Sequence, residues 1–284
     1  MSVASVHELT ATPSLAPLFG KAALAGLRKR GTGELPSTVY SQRGVRVDYA
    51  RLAGYNRVCG FGVRDALPAT YPHILAFPLQ VKLMTADDFP FPLVGSVHLA
   101  NRTTQTRQLR ADEPLDIRVH AEHARPHAKG TQFDVVSQVF VADTLVWTDV
   151  STYLRKGGGS GEQEAREQLA PPAARAMWRV PADVGRQYAR VSGDHNPIHL
   201  HALTARAFGF PRAIAHGMWT KARCLAAFEG RLPEAYTVDV RFKAPVLLPA
   251  KAAFTSWRQP EGWAFELWAA GKPKPHLSGT ITSS

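Results

Sequence analysis

Two short stretches of this chain are written twice at one fixed spacing, and this limits the folds open to it more than any other feature. Tyr49-Ala50-Arg51-Leu52-Ala53-Gly54 stands against Tyr188-Ala189-Arg190-Val191-Ser192-Gly193, a separation of 139 residues. Tyr71-Pro72-His73-Ile74-Leu75-Ala76-Phe77-Pro78 stands against Phe210-Pro211-Arg212-Ala213-Ile214-Ala215-His216-Gly217, again 139 apart. One such match arises by chance, but two in a single register indicate an internal duplication.

Each half then reads alike: a short helical entry, a longer apolar helix, and a run of alternating strands. In the second half Met218, Ala222, Leu225 and Ala226 fall at helical spacing and predict a helix over 218–228, with strands over 236–244, 251–257, 262–268 and 276–282. In the first half the helix is expected over 75–89 and the strands over 95–101, 115–123, 131–141 and 145–154. The Gly/Ser-rich run at 156–161 and the prolines at 171–172 mark a linker. The chain divides into an N-terminal segment (1–40), a first repeat (41–155), a linker (156–176) and a second repeat (177–284). A helix followed by antiparallel strands implies a sheet curled around it, so the class is α+β.

Composition narrows the partners. With 284 residues, 45% of them hydrophobic, the chain can bury one large core or two of average size. No apolar run approaches the roughly 20 residues that span a bilayer, so no integral membrane association is expected. Two cysteines without CxxC spacing, Cys59 and Cys224, fit a reducing cytoplasm. The net charge of +11 favours an anionic partner. The basic cluster between Lys21 and Arg30 lacks interleaved aromatics, reads as a short solvated helix over 22–30, and gives no support for nucleic-acid binding.

The chemistry concentrates in residues 188–199, where Asp194 and His199 stand five residues apart across a turn. Pro197 suits the first turn of a helix, so 194–196 form the turn and the helix runs from Ile198 onward. A carboxylate at the lip and an imidazole on the first turn can share one water. Downstream, Gly217 opens the next helix, whose N-terminal N–H groups can face a substrate carbonyl. In the duplicated register Tyr55 stands for Asp194, Gly60 for His199 and Pro78 for Gly217, so the first repeat reads as having lost acid, base and N–H donor together. Asp194, His195, His199 and His201 also offer ligand atoms, but His199 and His201, two apart on the expected helix, point away from each other, and no metal site is assigned.

These residues resemble the MaoC-like dehydratase family, also called hydratase 2, which includes (R)-specific enoyl-CoA hydratases and 3-hydroxyacyl-thioester dehydratases. The resemblance is carried by Ser192-Gly193-Asp194-His195-Asn196-Pro197-Ile198-His199 and by Ala215-His216-Gly217-Met218, with Arg241-Phe242-Lys243-Ala244-Pro245-Val246 as a third block. It implies a double hot-dog fold covering the chain from about Val45, with the second repeat catalytic. It implies Asp194 and His199 as the catalytic pair, and Gly217 as the donor of the carbonyl-polarising N–H. Asn196, Ser192, His216, Arg241 and Lys243 are expected on the substrate side, Asn196 and Ser192 through bracing of the turn and the two cations through phosphates of the carrier arm.

The resemblance further implies hydration of a trans-2-enoyl thioester and the reverse dehydration, without a separate cofactor, since coenzyme A or phosphopantetheine is part of the substrate. The acyl tail is expected in the first repeat near Phe77, Met84 and Phe89. A homodimer is compatible with the chain, although one double hot-dog chain already supplies a two-layer unit. Two departures stand out: Leu200-His201-Ala202 replaces the family's polar continuation, and Leu247-Leu248-Pro249-Ala250 replaces a Gly-Asp turn. A hot-dog thioesterase and a non-catalytic acyl-thioester binding subunit are the competing readings.

Overall fold

A computed structural model describes residues 5–25, 33–157 and 170–283. In chain order it contains β1 (Val6–Glu8), α1 (Leu15–Ala25), β2 (Val39–Val45), α2 (Tyr49–Cys59), α3 (Tyr71–Met84), β3 (Ser96–Gln105), β4 (Leu115–His127), β5 (Gly130–Val141) and β6 (Thr144–Lys156). After the linker come β7 (Ala176–Val180), α4 (Val184–Ser192), a 3-10 turn (Pro197–His199), α5 (Ala202–Ala207), α6 (Gly217–Ala226), β8 (Tyr236–Phe242), β9 (Ala250–Gln259), β10 (Gly262–Ala269) and β11 (Pro275–Ser283). The linker residues 158–169 and the C-terminal part of the expected basic helix, 26–30, lie outside the described residues.

All eleven strands form one sheet in the order β1-β2-β4-β5-β6-β3-β8-β11-β10-β9-β7. Leaving out β1, the order outward from the central β3–β8 seam is the same on both sides, which is the duplication written in topology. The seam is antiparallel, with Asn101 opposite Val240 and Thr103 opposite Val238. The sheet curls around the central helices α3 and α6. Twelve of the fourteen residues of α3 are buried, as a helix covered on all sides requires.

The expected strands are present, several of them longer at one or both ends. Three strands were not expected, β1, β2 and β7; β1 and β7 are the sheet's edges and β2 is covered on one side only by the three-residue β1. The first central helix begins earlier than expected, at Tyr71, because Pro72 fits its first turn. No helix among the described residues is long and apolar enough to cross a membrane.

The residue-by-residue register of the duplication does not hold at the site. Both entry helices end on a left-handed glycine, Gly60 (φ 85°) for α2 and Gly193 (φ 84°) for α4, so Gly60, not Gly54, corresponds to Gly193. Tyr55 is therefore no substitute for Asp194: it is fully buried inside α2 and donates to Thr70 Oγ1 at 2.8 Å. Pro78 is the eighth residue of α3, whereas Gly217 is the first of α6, so no N-terminal donor was lost to proline. The real difference is length. Ten residues (61–70) join Gly60 to α3, but twenty-three (194–216) join Gly193 to α6.

Candidate active site

The longer connection carries Asp194 and His199, and its folding begins with local contacts. Ser192 is buried; its hydroxyl donates to Tyr188 O at 2.8 Å and accepts from Asp194 N–H at 3.1 Å. Asp194 Oδ1 accepts from Asn196 N–H at 3.1 Å, and Asn196 Oδ1 caps the 3-10 turn through Ile198 N–H at 3.4 Å. Ser192 and Asn196 thus act by holding the loop, and Ser192 in particular has no surface left for a substrate. The expected continuous helix from Ile198 is broken into the 3-10 turn and α5, with His201 as the cap between them.

Two contacts press the turn into place. An added Cβ on Gly185 of α4 would lie 2.1 Å from His199 O, so only glycine lets the turn come this close. Arg51, on α2 of the first half, donates to Val191 O at 2.7 Å and Ser192 O at 3.1 Å, capping the end of α4 immediately before Asp194. The same guanidinium reaches Ile74 O at 3.5 Å, the carbonyl that Pro78 leaves without its helical donor. Arg51 was visible only as part of the repeated motif, which gives no sign that it reaches across to the other copy.

The resulting geometry sets the proton chemistry. His199 is 9% exposed, and its Nδ1–H donates to Ile214 O at 2.8 Å, which leaves the Nε2 lone pair free. Burial lowers its pKa, against the pull of the Asp194 carboxylate, so the ring is a neutral base at pH 7. The Asp194 side chain is 27% exposed. His216, expected on the substrate side, is instead buried beneath the pair: its ring stacks on His199 at 3.7 Å, and Nε2–H donates to Asp194 O at 3.0 Å. Burial, followed by the neighbouring His199, takes its pKa down to about 3, so it stays neutral and serves as a floor.

Asp194, His199 and His216 bring one ligand atom each within 4.8 Å of one another. This is a different set from the one weighed in the sequence; His195 and His201 are exposed. The two rings are stacked 25° from parallel, and His216 Nε2 is already engaged with a carbonyl. The arrangement suits proton transfer better than convergent ligation.

Gly217 opens α6, with His216 as N-cap and no side-chain capping bond, so the first-turn N–H groups remain available to an acceptor. A Cβ on Gly217 would sit 3.2 Å from the Phe242 ring, which is why the residue is small. Arg241 and Lys243 flank Phe242, are exposed, and by strand alternation project from the opposite face, away from the pair. Of the three residues expected around an acyl tail, Met84 and Phe89 are buried in the core, and Phe77 alone keeps accessible surface.

Over 256 residues the chain is 39% identical to 3-hydroxyacyl-thioester dehydratase X of Mycobacterium tuberculosis, covering 88% of this chain and 91% of that protein. The chain belongs to the MaoC-like dehydratase family. The model of the MaoC like domain matches residues 163–266, the part that carries the pair and α6. A crystal structure of HtdX from M. tuberculosis superposes with a TM-score of 0.78 at 37% identity, over 87% of this chain and all of that one. A MaoC-like dehydratase from Phytophthora capsici shares the fold at 17% identity and a TM-score of 0.68, over 87% of this chain and 95% of that one. The family's double hot-dog architecture is the α+β fold described above.

Proposed function

We propose that this protein is a hydro-lyase that interconverts trans-2-enoyl thioesters and (R)-3-hydroxyacyl thioesters, the acyl group being carried on coenzyme A or an acyl carrier protein. The observation that carries the reading is the free Nε2 of a neutral, buried His199 beside Asp194, next to an unfilled helix N-terminus. In the hydration direction Asp194 holds a water and His199 Nε2 takes one of its protons. The water oxygen bonds to Cβ, and the C=C electron pair moves toward the thioester oxygen. Gly217 N–H and the α6 dipole stabilise the charge that develops there. The imidazolium then returns the proton to Cα, so H and OH have added across the double bond. Asp194, His199 and Gly217 are the catalytic groups in this scheme.

Loss of enoyl absorbance from a trans-2-enoyl-CoA, with chiral analysis of the product, tests the reading. Hydration to the (R)-alcohol is expected, with the acidic limb of kcat/KM below the ordinary histidine range because His199 is lowered. Release of free thiol without hydration would refute it in favour of a thioesterase. Tight binding without turnover would favour a binding subunit.

A further inference from the structure

α6 carries a lysine with no accessible surface, Lys221, four residues after Gly217 and so one turn further along the same face. The hydration scheme does not use it. An ammonium removed from water is tolerated only when its donors are filled. Lys221 Nζ donates to Thr103 Oγ1 at 2.7 Å, to Asn101 O at 3.3 Å and to Asn101 Oδ1. All three acceptors belong to β3 of the first half. Asn101 Nδ2 in turn donates to Asp149 Oδ2, and Asp149 Oδ1 lies 2.9 Å from His73 Nδ1.

The counter-charge is therefore indirect, and it sits on the far side. Phe242, which touches Gly217, is on β8; the acceptors of Lys221 are one strand away on β3, and Asp149 is two strands away on β6. The positive end of this buried array is carried by α6 itself, four residues after Gly217, and the negative end, Asp149, belongs to the first half.

We propose that Lys221 is a positioning residue for the hydration: a fixed positive charge behind Gly217 that favours build-up of negative charge on the thioester oxygen without touching the substrate. This rests on the hydro-lyase reading above. The four residues from Gly217 to Lys221 rise about 6 Å along the helix, and a unit charge at about 8 Å in an effective dielectric of about 20, partly offset by Asp149, is worth about tenfold in rate.

The groups that set the charge state are Asp149 on β6, His73 on α3, His98 on β3 and Asp239 on β8. Burial lowers Lys221 to about 8, with Asp149 and then Asp239 pulling the other way. His98 is held neutral, at about 3, chiefly by burial. The ammonium is thus present at neutral pH and is lost above about 8. A lysine whose folded pKa is depressed burdens the fold below that pH and relieves it above, because the unfolded chain then binds more protons. The contribution of Lys221 to stability therefore rises over the range in which its contribution to rate falls.

The test is the pH profile of enoyl-CoA hydration by the wild type, Lys221→Met and Lys221→Gln, with a melting curve at each pH. We expect about tenfold lower kcat at pH 7 in both variants, little change in KM, and an alkaline limb near 8 in the wild type that the variants lack. An alkaline limb retained by a folded variant, or an unchanged kcat, would overturn the proposal. Should both variants fail to fold, the wild type decides alone, since a folded enzyme with no alkaline limb up to about pH 10 also overturns it. A wild type inactive at every pH refutes the hydro-lyase reading, a result distinct from an active enzyme without the limb.

Discussion

The two halves share a sheet order and a pair of helices, yet one connection in the second is more than twice as long as its counterpart in the first. The comparison teaches that catalytic difference between duplicated halves can reside in an added segment on a retained frame, in place of substitutions at matching positions. The first half is not idle. It supplies Arg51, which caps the helix leading into Asp194, and the β3 acceptors that hold Lys221.

The sharpest way to break this comparison is at the pair itself. Asp194→Asn and His199→Ala are each expected to lower kcat by about a thousandfold while melting near the wild-type temperature, whereas Tyr55→Phe, at the position the sequence register pairs with Asp194, should leave kcat nearly intact. Steady-state hydration kinetics measure all three. Next comes Gly185→Ala: its methyl would meet His199 O at 2.1 Å, so the turn must move. About a hundredfold loss of kcat and a lower melting temperature are expected, and normal kinetics would mean that α4 does not fix the turn.

The repeated arginines give a more graded test. Arg51→Met leaves two α4 carbonyls uncapped and should cost about 2 kcal/mol and about tenfold in kcat. Arg190→Met, at the exposed position that the sequence register pairs with Arg51, should change stability by no more than about 0.5 kcal/mol by urea denaturation. Equal effects would show that the halves do not differ in this respect.

A smaller effect is expected in acid. Burial pushes the Asp149 carboxyl up, but His73, Lys221 and Asn101 outweigh it and hold the group below its usual value. A depressed carboxyl contributes stability above its unfolded pKa and loses it as the pH falls through the folded one. Asp149→Asn should therefore flatten the acid limb of stability below about pH 4, as read by denaturant midpoints. The smallest effect is expected from Arg241→Ala and Lys243→Ala, which face away from the pair and should change kcat/KM by less than about threefold. A large rise in KM would restore them as phosphate contacts.

What could be read from the sequence follows the range of the interactions involved. The strands of both halves showed through alternation, because one face of the sheet is buried along its length. β1, β2 and β7 did not, since strands at or next to an edge bury less and their patterns are weaker. Asp194, Asn196 and Gly217 could be placed because turn chemistry and helix starts are local. His216 could not, because its burial beneath His199 depends on how two distant loop segments fold together. The 139-residue register failed at both matched blocks, since Gly60 and Gly193, which close the entry helices, are 133 apart and Tyr71 and Gly217, which open the central helices, are 146 apart; one offset cannot show that thirteen residues have been added to one connection.

The β3–β8 seam has a consequence for the integrity of the chain. Backbone pairing from Ala100 to Gln105, together with the bonds from Lys221, joins the halves without any help from the linker. A protease cut within 158–169 should thus yield not two separate domains but a tight heterodimer of complementary fragments that still turns over, and the two pieces, made separately, should reconstitute a working enzyme when mixed.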